Sequence, residues 1–117
     1  VGARNGVGRY GERVAARYLA EAGMRIVARN WRRRYGELDI IAADGDVLVI
    51  CEVKTRRGAG YGHPAEAITL RKQDQLRSLA SRWLDGRPEP GAVRFDVLSV
   101  WPQRRGPAKV EYLRGAF

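Results

Sequence analysis

The chain holds one cysteine, Cys51, and one histidine, His63. A single thiol excludes an intramolecular disulfide, a cysteine-based zinc site and a redox pair. Cys51 sits in an apolar strand pattern and reads as a small core hydrophobe, and His63, just before Pro64, reads as a surface turn residue. Lysine is also scarce. It occurs only at positions 54, 72 and 109, in a chain whose other basic residues are arginine. No apolar run approaches the roughly 18 residues needed to span a bilayer, so no membrane partner is expected. The segment VGARNGVGRYGERVAARYL carries Arg and Glu through its helical part and has no apolar signal core, which makes the cytoplasm the expected location. The Gly-rich stretch GAGYGHP lacks the Gly-Lys-Ser/Thr ending of a nucleotide-binding loop, so it is not read as an ATP site.

What is abundant is positive charge: 22 Lys and Arg against 13 Asp and Glu give a net charge of +9 in 117 residues. Such an excess speeds encounter with polyanions, nucleic acid first among them. An acidic protein partner or an anionic surface is the other reading of the same charge. The length suits one domain, residues 1–117, and the 44% hydrophobic content argues against disorder.

Apolar positions at Val14, Tyr18, Leu19 and Ala22 have helical spacing, with Gly23 as a left-handed terminator. A first strand follows, with Met24, Ile26 and Ala28 on one side and Trp31 closing it before a basic loop, RRRYG. ELDIIAA and DVLVICEVK flank Asp44-Gly45 as the arms of a hairpin. A second helix is expected from about Ala65 to Leu84, then strands VRFDVLSVW and KVEYL. The long helical connection between Val47–Lys54 and Val93–Trp101 predicts that these two strands are parallel, so the expected fold is α/β: a mixed sheet flanked by helices.

With a turn at Asp44 and Gly45, Ala43 pairs with Asp46 and Asp39 faces Ile50. Glu37, Asp39, Ile41 and Ala43 then share a face with Asp46, Leu48, Ile50, Glu52 and Lys54, and the opposite face, Leu38, Ile40, Ala42, Val47, Val49, Cys51 and Val53, is apolar throughout. Three carboxylates and one amine thus gather at the open end, Asp39 diagonal to Glu52 and Glu37 opposite it. Like charges this close repel unless a cation or a proton lies between them. Oxygen donors without His or Cys suit Mg²⁺ or Mn²⁺, and Lys54 is placed to orient a water or a phosphate, so the implied chemistry is phosphodiester hydrolysis. The plainer reading is a solvated ion-pair ladder at a sheet rim.

Asp39, the turn and Glu52-Val53-Lys54 resemble the D…(D/E)xK signature of the restriction-endonuclease-like nuclease superfamily. GRYGERVAARYLAEAG, Asn30, GELDII, CEVKTR, YGHPAEAIT, Lys72 and RFDVLSV together resemble the bacterial YraN-like family, related to Holliday-junction resolvases. Leu38 stands where the superfamily motif often has Pro. The resemblance implies a restriction-endonuclease-like core of αβββαβ order with a further edge strand, Asp39 and Glu52 as ligands of Mg²⁺ or Mn²⁺, Lys54 as the catalytic lysine, and Glu12 as an acid brought from the first helix. Glu37 would support the site. It further implies an endonuclease acting on structured or branched DNA, as a homodimer because paired cuts need two sites. The alternative is a nucleic-acid-binding module of nuclease-derived fold without catalysis, since fold does not specify activity. A protein-interaction subunit is the third class.

Contacts to nucleic acid are expected from Arg32, Arg33 and Arg34, interleaved with Trp31 and Tyr35, from Arg56 and Arg57 just after the ExK strand, and from Lys72 near the start of the second helix. Asp96 alternates with Phe95 and Val97 and is assigned a structural role.

Overall fold

Helix α1 (Gly6–Glu21) buries Ala15, Ala16 and Leu19 along one stripe. It ends in a Schellman turn: Gly23 takes φ 98°, its N–H donates to Ala20 O, and Met24 N–H donates to Leu19 O, each at 3.0 Å. Met24 and Leu19 meet in the same core cluster, the apolar contact that usually accompanies this cap. The computed structural model describes residues 6–57 and 68–117. The Gly-rich connection with His63, and positions 65–67 of the expected second helix, lie outside the described residues.

Strands β1 (Arg25–Arg33), β2 (Gly36–Asp44), β3 (Val47–Thr55), β4 (Ala92–Trp101) and β5 (Lys109–Leu113) form one sheet in that order. Helix α2 (Leu70–Leu84) connects β3 to β4, which are parallel, while the other neighbours are antiparallel. The expected α/β architecture, a mixed sheet flanked by helices, is the observed one, and nothing in it conflicts with a restriction-endonuclease-like core. One face packs Ile40, Ala42, Val49, Cys51, Leu98 and Val100 against α1. The other packs Ile41, Leu48 and Ile50 against Leu76, Leu79, Ala80 and Trp83 of α2. No helix among the described residues is long and apolar enough to cross a membrane.

Four local expectations are corrected. Arg32 and Arg33 belong to β1, and only Arg34 and Tyr35 form the turn; a charged edge strand has the composition of a loop. A bulge between Ile26 and Ala28 turns Ala28 toward the α2 side, with Val27 and Trp31, away from Met24 and Ile26. Helix α2 starts at Leu70 because Thr69 caps it, its hydroxyl accepting from Lys72 N at 3.1 Å. The hairpin turn is Gly45-Asp46, with Asp44 paired to Val47 and Ile41 to Ile50, so Asp39 does not face Ile50. Gly45 alone of the two turn residues has positive φ, at 60°, the pattern of a II′ turn.

Gly11 sets how closely α1 can sit on the sheet. A Cβ there would lie 1.9 Å from Thr55 Oγ1 and 3.0 Å from Thr55 Cβ. In an open helix interior Gly→Ala gains roughly 1 kcal/mol; here Gly11→Ala is expected to lose about 1–3 kcal/mol by overpacking, read as a lower urea midpoint. Adding Thr55→Ala should restore most of the loss. A more stable Gly11→Ala protein would refute the close approach.

Candidate metal centre

Strands β2 and β3 are paired from Asp44↔Val47 as far as Ile40↔Cys51. Beyond that point the ladder gives way to a side chain: Val53 N–H donates to Asp39 Oδ2 at 2.9 Å. The alternation of β2 breaks at the same residue, because Leu38 packs on the α2 side while Ile40 packs on the α1 side. On β1, Asn30 lies between the pairs Arg29↔Ile40 and Trp31↔Leu38, opposite Asp39, and has φ 53°. Asn tolerates this left-handed conformation better than most residues, and the twist it introduces accompanies the change of face. The expectation that Leu38 shares the apolar face of Ile40 is therefore corrected. Asp39 occupies the gap where the two strands part, within reach of groups from both sides of the sheet.

From the α1 side come Glu12 and Glu37. Ligand oxygens of Glu12, Glu37 and Asp39 all lie within 4.8 Å of one another. From the α2 side comes Glu52, which alternates with Cys51 and follows Ile50 on that face. Continuing the observed register by one residue sets Asp39 directly across from Glu52, closer than the diagonal expected. Glu12, Glu37, Asp39 and Glu52 line one open cleft of about 570 Å³, together with Arg57 and Lys72. Four carboxylates are buried among the described residues, Glu12, Asp39, Glu52 and Asp96, and three of the four line this cleft. Isolated buried charge is expensive, so such clustering calls for a cation or protons.

The electrostatics follow from that burial. Desolvation, and then the nearby Asp39 charge, push the Glu52 carboxyl from 4.5 up to about 7, while Lys72 and Lys54 pull it the other way. Both ammonium groups lie 3.7 Å from Glu52 Oε2. Two of the chain's three lysines thus converge on one carboxylate oxygen, one from β3 and one from the first turn of α2. The Cys51 thiol is pushed well above its ordinary range, chiefly by burial and then by Asp96, Asp39 and Glu52, which suits an inert core residue.

The remaining sequence-predicted residues divide. Arg57 lines the cleft. Arg32 reaches its rim through an ion pair with Glu37 at 3.2 Å. Arg56 turns onto β4, with Nε 3.4 Å from Ser99 Oγ and its guanidinium 5.9 Å from the Trp101 ring. Arg33 stacks on Trp31 at 4.1 Å and Arg34 lies 6.0 Å from the Tyr35 ring. The role of Lys72 as a direct partner of Glu52 was not foreseen; its one signal was the rarity of lysine. Gly11 was passed over too, although a glycine inside a helical pattern and beside Glu12 marks a close approach.

The family model described as "Uncharacterised protein family UPF0102" matches residues 11–100. A UPF0102 protein of Streptomyces griseus is 56% identical over 115 residues, spanning 97% of both chains. UPF0102 protein Franean1_1156 of Parafrankia sp. is 56% identical over 112 residues, 95% of each. A UPF0102 protein of Acidothermus cellulolyticus is 49% identical over 126 residues, covering 98% of this chain and 96% of the relative. The chain carrying this carboxylate cleft belongs to the UPF0102 family.

Proposed function

We propose that the protein is a divalent-metal-dependent endonuclease of the restriction-endonuclease-like superfamily, hydrolysing phosphodiester bonds in structured or branched DNA. The observation that carries this reading is the convergence of Glu12, Glu37 and Asp39, from α1 and β2, to within 4.8 Å in the cleft that also holds Glu52 and Lys72. The donor set fits Mg²⁺ or Mn²⁺: carboxylate oxygens only, from several elements, in a cleft open enough to admit water and phosphate oxygens. Asp39, Glu52 and Glu12 would hold the ion, with Glu37 completing or supporting the set. When bound, such an ion supplies charge stabilisation at the phosphate and an acidified water.

The chain's own residues have defined tasks. The bond from Val53 N–H fixes the Asp39 carboxylate in the strand gap. Lys54 and Lys72 offset the Glu52 charge, and their ammonium groups stand where a phosphate entering the cleft would meet them. Arg57 lines the same cleft and supplies a contact to the substrate backbone. Asp39→Asn keeps the shape but halves the acceptor capacity facing the other carboxylates, and it should lower nicking of a labelled four-way junction in Mg²⁺ by about 10²-fold or more. Lys54→Ala should fall in the same range.

A second reading has one observation in its favour. The two lysines already balance Glu52, so the cleft is partly neutralised by the chain itself, as a binding module without catalysis requires. Nicking and junction binding measured in parallel separate the two. Turnover in Mg²⁺ or Mn²⁺ that Asp39→Asn removes supports the nuclease; tight binding by the parent protein with no turnover in either metal overturns it in favour of the module.

A further inference from the structure

The exposed face of α1 carries Arg9, Arg13 and Arg17 at i, i+4 and i+8. That spacing puts the three on one stripe, successive members roughly 6 Å apart along the axis. The stripe begins beside the cleft, whose wall includes Val7, Gly8 and Glu12, and runs away from it. The only acid within its span, Glu12, is buried and faces the cleft. Glu21 meets the stripe at its far end, pairing with Arg17 at 3.9 Å where both side chains are almost fully in water, so the pairing is weak.

A second wall stands opposite. The β4–β5 turn packs beside α1, with Ala108 and Val110 against the α1 core cluster. Between them lies a groove of about 520 Å³ lined by Tyr10, Arg13, Arg17, Pro107 and Ala108. The same turn presents exposed Arg104 and Arg105, and it is tethered by Gln103 Nε2 donating to Trp101 O at 2.9 Å. Arg56 and Lys109 flank the Trp101 ring at 5.9 and 5.6 Å, continuing the positive surface toward the C-terminal end of β3, where Arg57 lines the cleft.

We infer that this groove between α1 and the β4–β5 turn is a second nucleic-acid contact, which holds the phosphate backbone of a duplex DNA arm leading out of the cleft. The inference rests on the nuclease reading for its substrate, but the site is a separate surface. Its chemistry specifies the occupant: guanidinium groups on both walls, with a Tyr ring and a Pro-Ala edge at the base, suit regularly spaced phosphates on a sugar edge and offer no hydrogen-bonding pattern for reading bases. A branched substrate has more than one arm to hold, and this groove supplies the place for an arm that the cleft does not reach.

The test is the salt dependence of binding to a four-way DNA junction. Arg13→Gln combined with Arg105→Gln removes two exposed guanidiniums and should reduce the slope of log K against log[salt] by about 2, with affinity near physiological salt down on the order of tenfold. Arg25→Gln combined with Arg29→Gln removes the same charge from β1, at the other edge of the sheet, and should leave the slope close to that of the parent. Unchanged slope and affinity in the groove variant, or an equal loss in the β1 variant, overturns the groove. A parent protein that binds no junction DNA at low salt overturns the nuclease reading together with the groove, whereas nicking that Asp39→Asn abolishes, alongside a silent groove variant, rejects the groove alone.

Discussion

Asp96→Ala is expected to lose about 3–5 kcal/mol of folding stability, because it strands a buried charge network. Asp96 is fully buried in β4. Its Oδ1 accepts from Arg94 Nε and from Gly115 N, both at 2.9 Å, and its Oδ2 accepts from Arg94 Nη2 at 3.1 Å and from the Tyr112 hydroxyl. Arg94 also reaches Asp44 at 3.2 Å. One carboxylate thereby ties together β4, β5, the C-terminal residues and the hairpin end of β2. Burial and then Asp96 raise the Tyr112 phenol above its ordinary range, so that hydroxyl stays a donor at any physiological pH. Asp96→Asn keeps the size and one acceptor and should lose less. Because the network lies outside the cleft, nicking per folded molecule should survive either change. A loss below about 1 kcal/mol for Asp96→Ala in urea unfolding would show that the network is dispensable.

The periodicity of the apolar residues determined both helices, the order of strands, the parallel pairing across α2 and the bounds of β5. Hairpin register was out of reach for a physical reason. Turns at Asp44-Gly45 and at Gly45-Asp46 are both chemically sound, and they differ by a two-residue step that leaves every side chain on the same face. No hydrophobic pattern distinguishes them. Alternation had the opposite failing: it assumes a regular strand, and the break at Asp39 puts Leu38 and Ile40 on different faces, a departure announced only by an Asn at position 30. The start of α2 was missed because Ile68 is buried in phase with the helix although Thr69 caps after it. As for the cleft, the acids of the hairpin were visible as a cluster. The approach of Glu12 from α1 rested on resemblance alone, since it depends on Gly11 closing the gap to Thr55, a tertiary contact.

Glu52→Gln is expected to make the metal-free protein more stable, not less, and only on the alkaline side. The folded carboxyl titrates at about 7 and the ordinary value is 4.5. Between these values the native state holds a proton that the unfolded chain has lost, so stability falls as pH rises through this window and the whole penalty is present above it. A shift of that size corresponds to about 3 kcal/mol. A neutral amide at this position does not titrate, so the variant should match the parent near pH 4 and exceed it by up to about 3 kcal/mol at pH 8. Lys54 and Lys72 lose their counter-charge in the variant, but both side chains are a third exposed and water compensates much of that. Mg²⁺ should reverse the order. A cation bound only by the folded carboxylate cluster stabilises the parent in proportion to the logarithm of its concentration, and the variant, missing one donor, should respond weakly or not at all. Urea unfolding at pH 4, 6 and 8, with and without millimolar Mg²⁺, measures both effects. A parent whose stability does not decline between pH 4.5 and 7, or a variant weaker than the parent at pH 8 without metal, would mean that Glu52 is at ease in its surroundings and that the cleft holds no store of electrostatic strain for a cation to relieve.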